Sequence, residues 1–158
     1  ALSYNSTRLA SSSDDKTVRI WDANSGECLQ ALEGHGSCVS SVAFSHDSTL
    51  LATASYDSTI KVWDASSGEC LQTFESHSFG VTSAAFSQDS TRLASASHDS
   101  KIRIWDTTSG ECVQTLEGHS VGISSVSFSQ DSTRLASASY DGTVKIWNAS
   151  SGECFQTF

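Results

Sequence analysis

The chain has 158 residues, enough for one ordinary domain or part of a larger one. It is 37% hydrophobic with a formal net charge of −9. Its nine basic residues form no run, which argues against nucleic acid or an anionic membrane as a direct partner, since a phosphate backbone requires a basic face. No apolar run is long enough to span a bilayer, nothing at the N-terminus reads as a signal peptide, and the absence of Met points to a processed, trimmed or excerpted chain.

Taken in order, the first residues fall inside a unit. "ALSYNSTRLASSSDDKTVRIWD" returns as "AFSHDSTLLATASYDSTIKVWD", "AFSQDSTRLASASHDSKIRIWD" and "SFSQDSTRLASASYDGTVKIWN". Ala1 to Ser3 align with Ala43 to Ser45, the tail of a strand, so the first unit lacks most of its opening strand. The second unit holds four short segments rich in β-branched, aromatic and small residues: "SCVSSVAFS" (37–45), "TLLATAS" (49–55), "STIKVWD" (58–64) and "ECLQTF" (69–74). Turn chemistry separates them in "HDS", "YD" and "ASSG". These predict strands a, b, c and d of an antiparallel meander. Strand c carries apolar residues on both faces, Val62 on one and Trp63 on the other, so such a sheet must be covered twice.

The period is 42 residues: it separates Trp21, Trp63, Trp105 and Trp147, and likewise His35, His77 and His119. With "IWD", "VWD", "IWD" and "IWN" closing the third strands, the sequence resembles the WD40-repeat family over essentially its whole length. The resemblance implies an all-β fold of four propeller blades. Blade 1 covers residues 1–34 and lacks most of strand a, blade 2 covers 35–76, blade 3 covers 77–118 and blade 4 covers 119–158. Such rings commonly hold seven or eight blades, so four amount to about half of an eight-bladed ring. The two open faces call for a homodimer that closes the ring, for the remainder of a longer array, or for an unusual closed ring of four blades. The family's usual Ser-Pro-Asp-Gly turn reads "SHDS" or "SQDS" here, and loss of the Gly predicts a different turn type. The uniform units and the phrases "DSTRLASAS" and "SSGEC" also look like the WD40 arrays of fungal NACHT-type STAND receptors.

Each complete unit holds His, Ser and Asp: His35, Ser55 and Asp57; His77, Ser97 and Asp99; His119, Ser139 and Asp141. These are the residue types of a serine hydrolase. Three copies in register, each followed by Trp63, Trp105 or Trp147, argue instead for structure. The resemblance implies a tetrad in which the Trp N–H, Ser hydroxyl, His ring and Asp carboxylate bond in series and tie strands b and c to the loop between blades. Blade 1 retains Ser13, Asp15 and Trp21 without a His. No metal is expected, because no set of four N or S ligands converges by spacing, and no cofactor is implied. Cys28, Cys70, Cys112 and Cys154 stand a full unit apart, too far for disulfides, and read as semi-buried strand residues of a chain in a reducing, cytoplasmic setting.

The units differ mainly in the b–c turns and d–a links, which a meander places on one rim. The residue before the tetrad acid is Asp14, Tyr56, His98 or Tyr140, and the links carry Ser37-Cys38, Phe79-Gly80 or Val121-Gly122. Exposed aromatics are common interface anchors. The leading expectation is therefore a non-catalytic scaffold or sensor that presents Tyr56, His98, Tyr140, Phe79, Val121 and Asp14 to a protein or peptide. The alternative is a multivalent sugar- or small-ligand-binding propeller.

Overall fold

The computed structural model describes residues 1–75 and 77–158; Ser76, where the expected second blade ends, lies outside them. Fifteen strands account for its regular structure. Blade 1 holds β1 (Arg8–Ser12), β2 (Val18–Asp22) and β3 (Cys28–Leu32). Blade 2 holds β4 (Val39–Phe44), β5 (Leu50–Ser55), β6 (Thr59–Asp64) and β7 (Cys70–Glu75). Blade 3 is β8 (Val81–Phe86), β9 (Arg92–Ser97), β10 (Ile102–Asp106) and β11 (Cys112–Leu116). Blade 4 is β12 (Ile123–Phe128), β13 (Arg134–Ser139), β14 (Val144–Asn148) and β15 (Cys154–Thr157). Each blade is an antiparallel meander in sequence order, three-stranded in blade 1 and four-stranded elsewhere. The remnant of the first blade's inner strand lies along β1, with Leu2 bridged to Leu9 and the Ala1 carbonyl accepting from the Ala10 amide at 2.8 Å. Among the described residues, no helix is long and apolar enough to cross a membrane.

Alternation along β6 sends Val62 and Trp63 to opposite neighbours. Trp63 packs in one core with Ala10, Val18, Ile20 and Leu32 of blade 1. Val62, Ile60, Ala52, Ala54 and Phe74 pack in the next core with Val81, Leu93 and Trp105 of blade 3. The third core repeats the arrangement between blades 3 and 4. Each seam thus sets an Ala/Ile/Val-rich face against a Leu/Trp face, and each of its fully buried large side chains contributes roughly 1.5–3 kcal/mol.

Polar contacts repeat across the seams. The first and second strands slip register at Val39/Ser41, Val81/Ser83 and Ile123/Ser125, a β-bulge in each full blade. The bulged Ser40 and Thr82 use their hydroxyls to reach the carbonyls of Val81 and Ile123 in the following blade, both at 2.6 Å. On the outer side, the Gln30 and Gln72 amides donate to the carbonyls of Ser66 and Thr108.

The a–b turn departs from expectation. Ser6, Ser48, Ser90 and Ser132 adopt φ of 58°, 63°, 60° and 58°, so the left-handed turn is kept with Ser in the Gly place. The hydroxyl offers compensation: Ser48, Ser90 and Ser132 accept the backbone amides of Asn5, His46 and Gln88 from the preceding blade. Within the turn, the Asp47 carboxylate accepts from the Ser45 hydroxyl and from the amide and hydroxyl of Thr49. The c–d turn is held by an Asx motif, in which Asp64 accepts the amides of Ser66 and Ser67. Asn148 does the same for Ser150 and Ser151 through its amide oxygen, which explains why "IWN" substitutes for "IWD".

The four periodic cysteines are exposed rather than semi-buried, because they open the outermost strand of each blade opposite the bulge beside Trp. All five cysteines are unpaired.

The b–c turn also needs a left-handed residue. Lys16, Ser58 and Ser100 hold φ of 72°, 72° and 66°, whereas blade 4 has Gly142 at 84° with open space around its α-carbon. The left-handed conformation costs an L-residue about 1–2 kcal/mol. Ser58→Gly and Ser100→Gly are therefore expected to raise unfolding stability by about 1 kcal/mol each, read as a higher urea midpoint at unchanged slope.

Candidate functional site

The loop face begins with what anchors it. In blade 2 the Trp63 indole N–H donates to the Thr53 hydroxyl at 2.9 Å, Thr53 lies 2.7 Å from His35 Nε2, and His35 Nδ1 lies 2.9 Å from Asp57. Blade 3 repeats the chain through Trp105, Ser95, His77 and Asp99, and blade 4 through Trp147, Ser137, His119 and Asp141. In blades 2 and 4, with the indole as a fixed donor and the carboxylate as a fixed acceptor, the protons run one way. There the hydroxyl donates to Nε2 and the ring donates from Nδ1 to the carboxylate. The same carboxylate oxygen accepts the backbone amide of Gly36, Ser78 or Ser120, which fastens the d–a link to the b–c turn. In blade 3, Arg103 pairs with Asp99 at 3.1 Å and its guanidinium, which only donates, also lies 2.7 Å from His77 Nδ1.

The hydroxyl in this series is Thr53, Ser95 or Ser137, two residues before the expected Ser55, Ser97 and Ser139. A strand repeats its face every two residues, so both positions point the same way, but only the earlier one lies near the Trp, which pairs with Leu51, Leu93 or Leu135. Ser55 instead donates to the Ser37 carbonyl, and Ser97 and Ser139 donate to the carbonyls of Phe79 and Gly80 and of Val121 and Gly122. In blade 1, Trp21 donates to Ser11, not to Ser13. Sequence spacing alone does not separate the two serines of "SAS"; strand register does. Thr53 and Ser95 are fully buried, so neither hydroxyl can meet a substrate.

Above these anchors lie the variable residues. Tyr56, His98 and Tyr140 are exposed and stack along the rim. Tyr56 and His98 centroids are 5.8 Å apart at an interplanar angle of 20°, and His98 and Tyr140 are 5.9 Å apart at 16°. Gly80 lies against Tyr56, where a β-carbon would stand 2.6 Å from Cδ1, and Gly122 lies against His98, where it would stand 2.8 Å from Nδ1. The link that follows a ring therefore carries Gly, while the link that follows Asp14 carries Cys38. The two variable positions are sterically matched, which comparison of the units one position at a time does not reveal. Phe79 is 62% exposed and Val121 47%, each preceding one of these glycines, and Asp14 is exposed in the first blade.

The opposite rim is not uniform either. Tyr4 meets the His46 ring edge-on at 4.2 Å, and the Gln88 amide lies 2.9 Å from that imidazole. Reading only the complete units hides this pair, because Tyr4 sits in the truncated one.

Titration follows from the anchors. Burial pushes the His35 pKa below its ordinary 6.5 despite the Asp57 contact. Burial alone would raise the Asp57 pKa, but hydrogen bonds from Thr59, Gly36 and His35 outweigh it and bring it to about 2. The Thr143 hydroxyl and the His119 ring hold Asp141 well below the carboxylate range. A group whose pKa is lower in the folded state takes up its proton first in the unfolded chain, so stability falls on acidification. The denaturant midpoint is expected to decline as pH drops below the ordinary His value of 6.5, and more steeply from the ordinary Asp value of 3.8 toward about 2. Substitution separates the two serines. Ser95→Ala leaves the Trp105 N–H and His77 Nε2 unpaired and is expected to cost about 1–3 kcal/mol, whereas Ser97→Ala removes a bond to a loop carbonyl and costs about 1 kcal/mol, both by urea unfolding.

The family comparison agrees with this repeated architecture. Residues 1–22, 26–64, 68–106 and 110–148 match the WD40 family, described as WD domain, G-beta repeat. Short stretches are similar to the nuclear distribution protein PAC1 of two fungi. The identity is 54% over 37 residues for Mycosarcoma maydis, covering 23% of this chain and 8% of the relative. It is 56% over 34 residues for Arthroderma benhamiae, covering 22% and 7%. Each similarity thus spans less than a tenth of the relative and about one repeat of this chain. WD40 repeats generally mediate protein–protein interaction as non-catalytic scaffolds. Four matches covering most of its length, each on a meander with a buried Trp–hydroxyl–His–Asp series or its truncated counterpart, establish that the chain belongs to the WD40-repeat family.

Proposed function

We propose that this chain is a non-catalytic recognition module whose b–c/d–a rim holds a protein or peptide partner. The stacked ladder Tyr56–His98–Tyr140 carries the reading. Three exposed rings held nearly parallel on fixed turns offer a large contact area with few side-chain rotors to freeze, which is what an interface anchor requires. Phe79 and Val121 extend the apolar surface beside the ladder, and Asp14 marks its acidic end. The tetrads below serve as its foundation, since each fastens a d–a link to the b–c turn that bears Tyr56, His98 or Tyr140. The same rim suits the sensor end of a cytoplasmic signalling protein, as the likeness to STAND-receptor arrays suggests. A multivalent sugar site is the weaker reading, because the rungs differ from blade to blade while a repeated sugar would favour identical ones.

The reading is tested with proteins captured by the chain and identified by mass spectrometry. A true partner is retained when the opposite rim is altered by Glu69→Ala and Glu111→Ala. Tyr56→Ala and Tyr140→Ala are each expected to weaken it about 30-fold, the loss that corresponds to a hot spot of about 2 kcal/mol. Gly80→Ala, which forces Tyr56 out of the stack, is expected to weaken the same partner with little change in fold. Binding indifferent to all three substitutions, or a glycan array bound while no protein is, would overturn it.

A further inference from the structure

At one place along the rim three positions change together. Where blades 2, 3 and 4 carry the rings Tyr56, His98 and Tyr140, blade 1 carries Asp14. The link that follows Asp14 reads Ser37-Cys38, where the next two read Phe79-Gly80 and Val121-Gly122. A ring requires glycine against it, as Gly80 at Tyr56 and Gly122 at His98 show, whereas a carboxylate, being smaller than a ring, leaves room for Cys38. An aromatic rung and its apolar link are thus both exchanged for polar groups at the same point.

The exchange leaves a slot on the face of Tyr56 turned away from His98. Tyr56 is exposed, and among the described residues His98 is the only ring that stacks on it. Asp14 is exposed too, and among the described residues it enters no ion pair and no side-chain hydrogen bond. Its neighbour Asp15 is engaged instead, accepting from Thr17 and lying 4.0 Å from Arg19, so the nearby guanidinium of the chain itself is directed elsewhere. The slot lies between blades 1 and 2. A rung meets an earlier blade only on its other side, as His98 meets Tyr56 on one face and Tyr140 on the other.

We infer that this slot takes an arginine side chain of the bound partner, its guanidinium stacked on Tyr56 and paired with the Asp14 carboxylate. The inference rests on the proposed reading of the rim as a recognition surface. The ladder sets the shape: its rings follow one another at interplanar angles of 20° and 16°, so the place before Tyr56 fits one more planar group. The charge sets the sign, because a tyrosine face attracts a cation and a carboxylate binds one. Guanidinium is planar, permanently charged and furnished with a fork of donors that matches the two oxygens of a carboxylate. An ammonium group has the charge without the plane, and an amide has the plane without the charge. The net charge of −9 draws a basic segment toward the chain as a whole, and the slot fixes where its arginine rests.

Short degenerate peptides with one fixed residue, arrayed against the 158-residue chain, test the slot. Peptides with arginine fixed are expected to bind about tenfold tighter than those with lysine or with citrulline, the uncharged isostere of arginine. Asp14→Asn is expected to remove the advantage over citrulline, and Tyr56→Leu the advantage over lysine, while the urea midpoint of each variant confirms that it is folded. A captured protein that depends on Tyr56 and Tyr140 yet is indifferent to Asp14→Asn would overturn the slot and leave the rim reading in place. An arginine preference that depends on Asp14 and Tyr56 but survives Tyr140→Ala, with no protein captured, would support the slot and remove the rim reading. Arrays with no arginine preference, or with one that Asp14→Asn does not touch, would overturn the inference.

Discussion

Trp63 faces one neighbouring blade and Val62 the other, and this division of a single strand between two cores governs the molecule. A sheet with apolar residues on both sides gains most of its stability from what lies beyond it, so no blade here owns a complete core. Each core belongs to a pair. The first-strand bulges, the Gln bridges and the left-handed serines of the a–b turns all add polar contacts at the same junctions, from the first strand of a blade to its last. Seam geometry then determines where the loops stand, and the tetrads transmit that order to the rim by fastening each link to the turn beside it.

The rim is therefore held in place where its residues vary from blade to blade. The d–a link could swing freely between blades, yet its amide is held by Asp57, Asp99 or Asp141 and its carbonyls by Ser55, Ser97 or Ser139. Rings such as Tyr56 and His98 rest on glycine in the following link, which sets their spacing. A hydrogen-bond series that looks like catalytic machinery thus works by the opposite principle: its hydroxyl is sealed and its carboxylate stays charged.

Much of this architecture is legible in the residues. The 42-residue period, the strand segments and the assignment of Val62 and Trp63 to opposite faces follow from side-chain alternation, a property of the backbone that any sequence displays. The tetrad hydroxyl is not legible, since Thr53 and Ser55, like Ser95 and Ser97, share one strand face and differ only in their distance from Trp, which is fixed by pairing register across strands. The left-handed serines escape a sequence reading because their compensation comes from an amide in another blade. The pairing of Tyr56 with Gly80 lies in the sequence as two unrelated differences between units, and it becomes one feature only when the fold brings the two positions together.

The near-identity of the seams has a consequence for how such a chain changes over time. Because every blade presents the same two faces, duplication or loss of a whole 42-residue unit leaves each remaining junction made of parts that already fit, and no compensating core substitution is required. What such an event alters is the order and number of rungs along the rim. The tyrosine, histidine and aspartate positions can be reshuffled by recombination between units while the scaffold keeps its packing, so diversity accumulates along the rim at almost no cost in foldability.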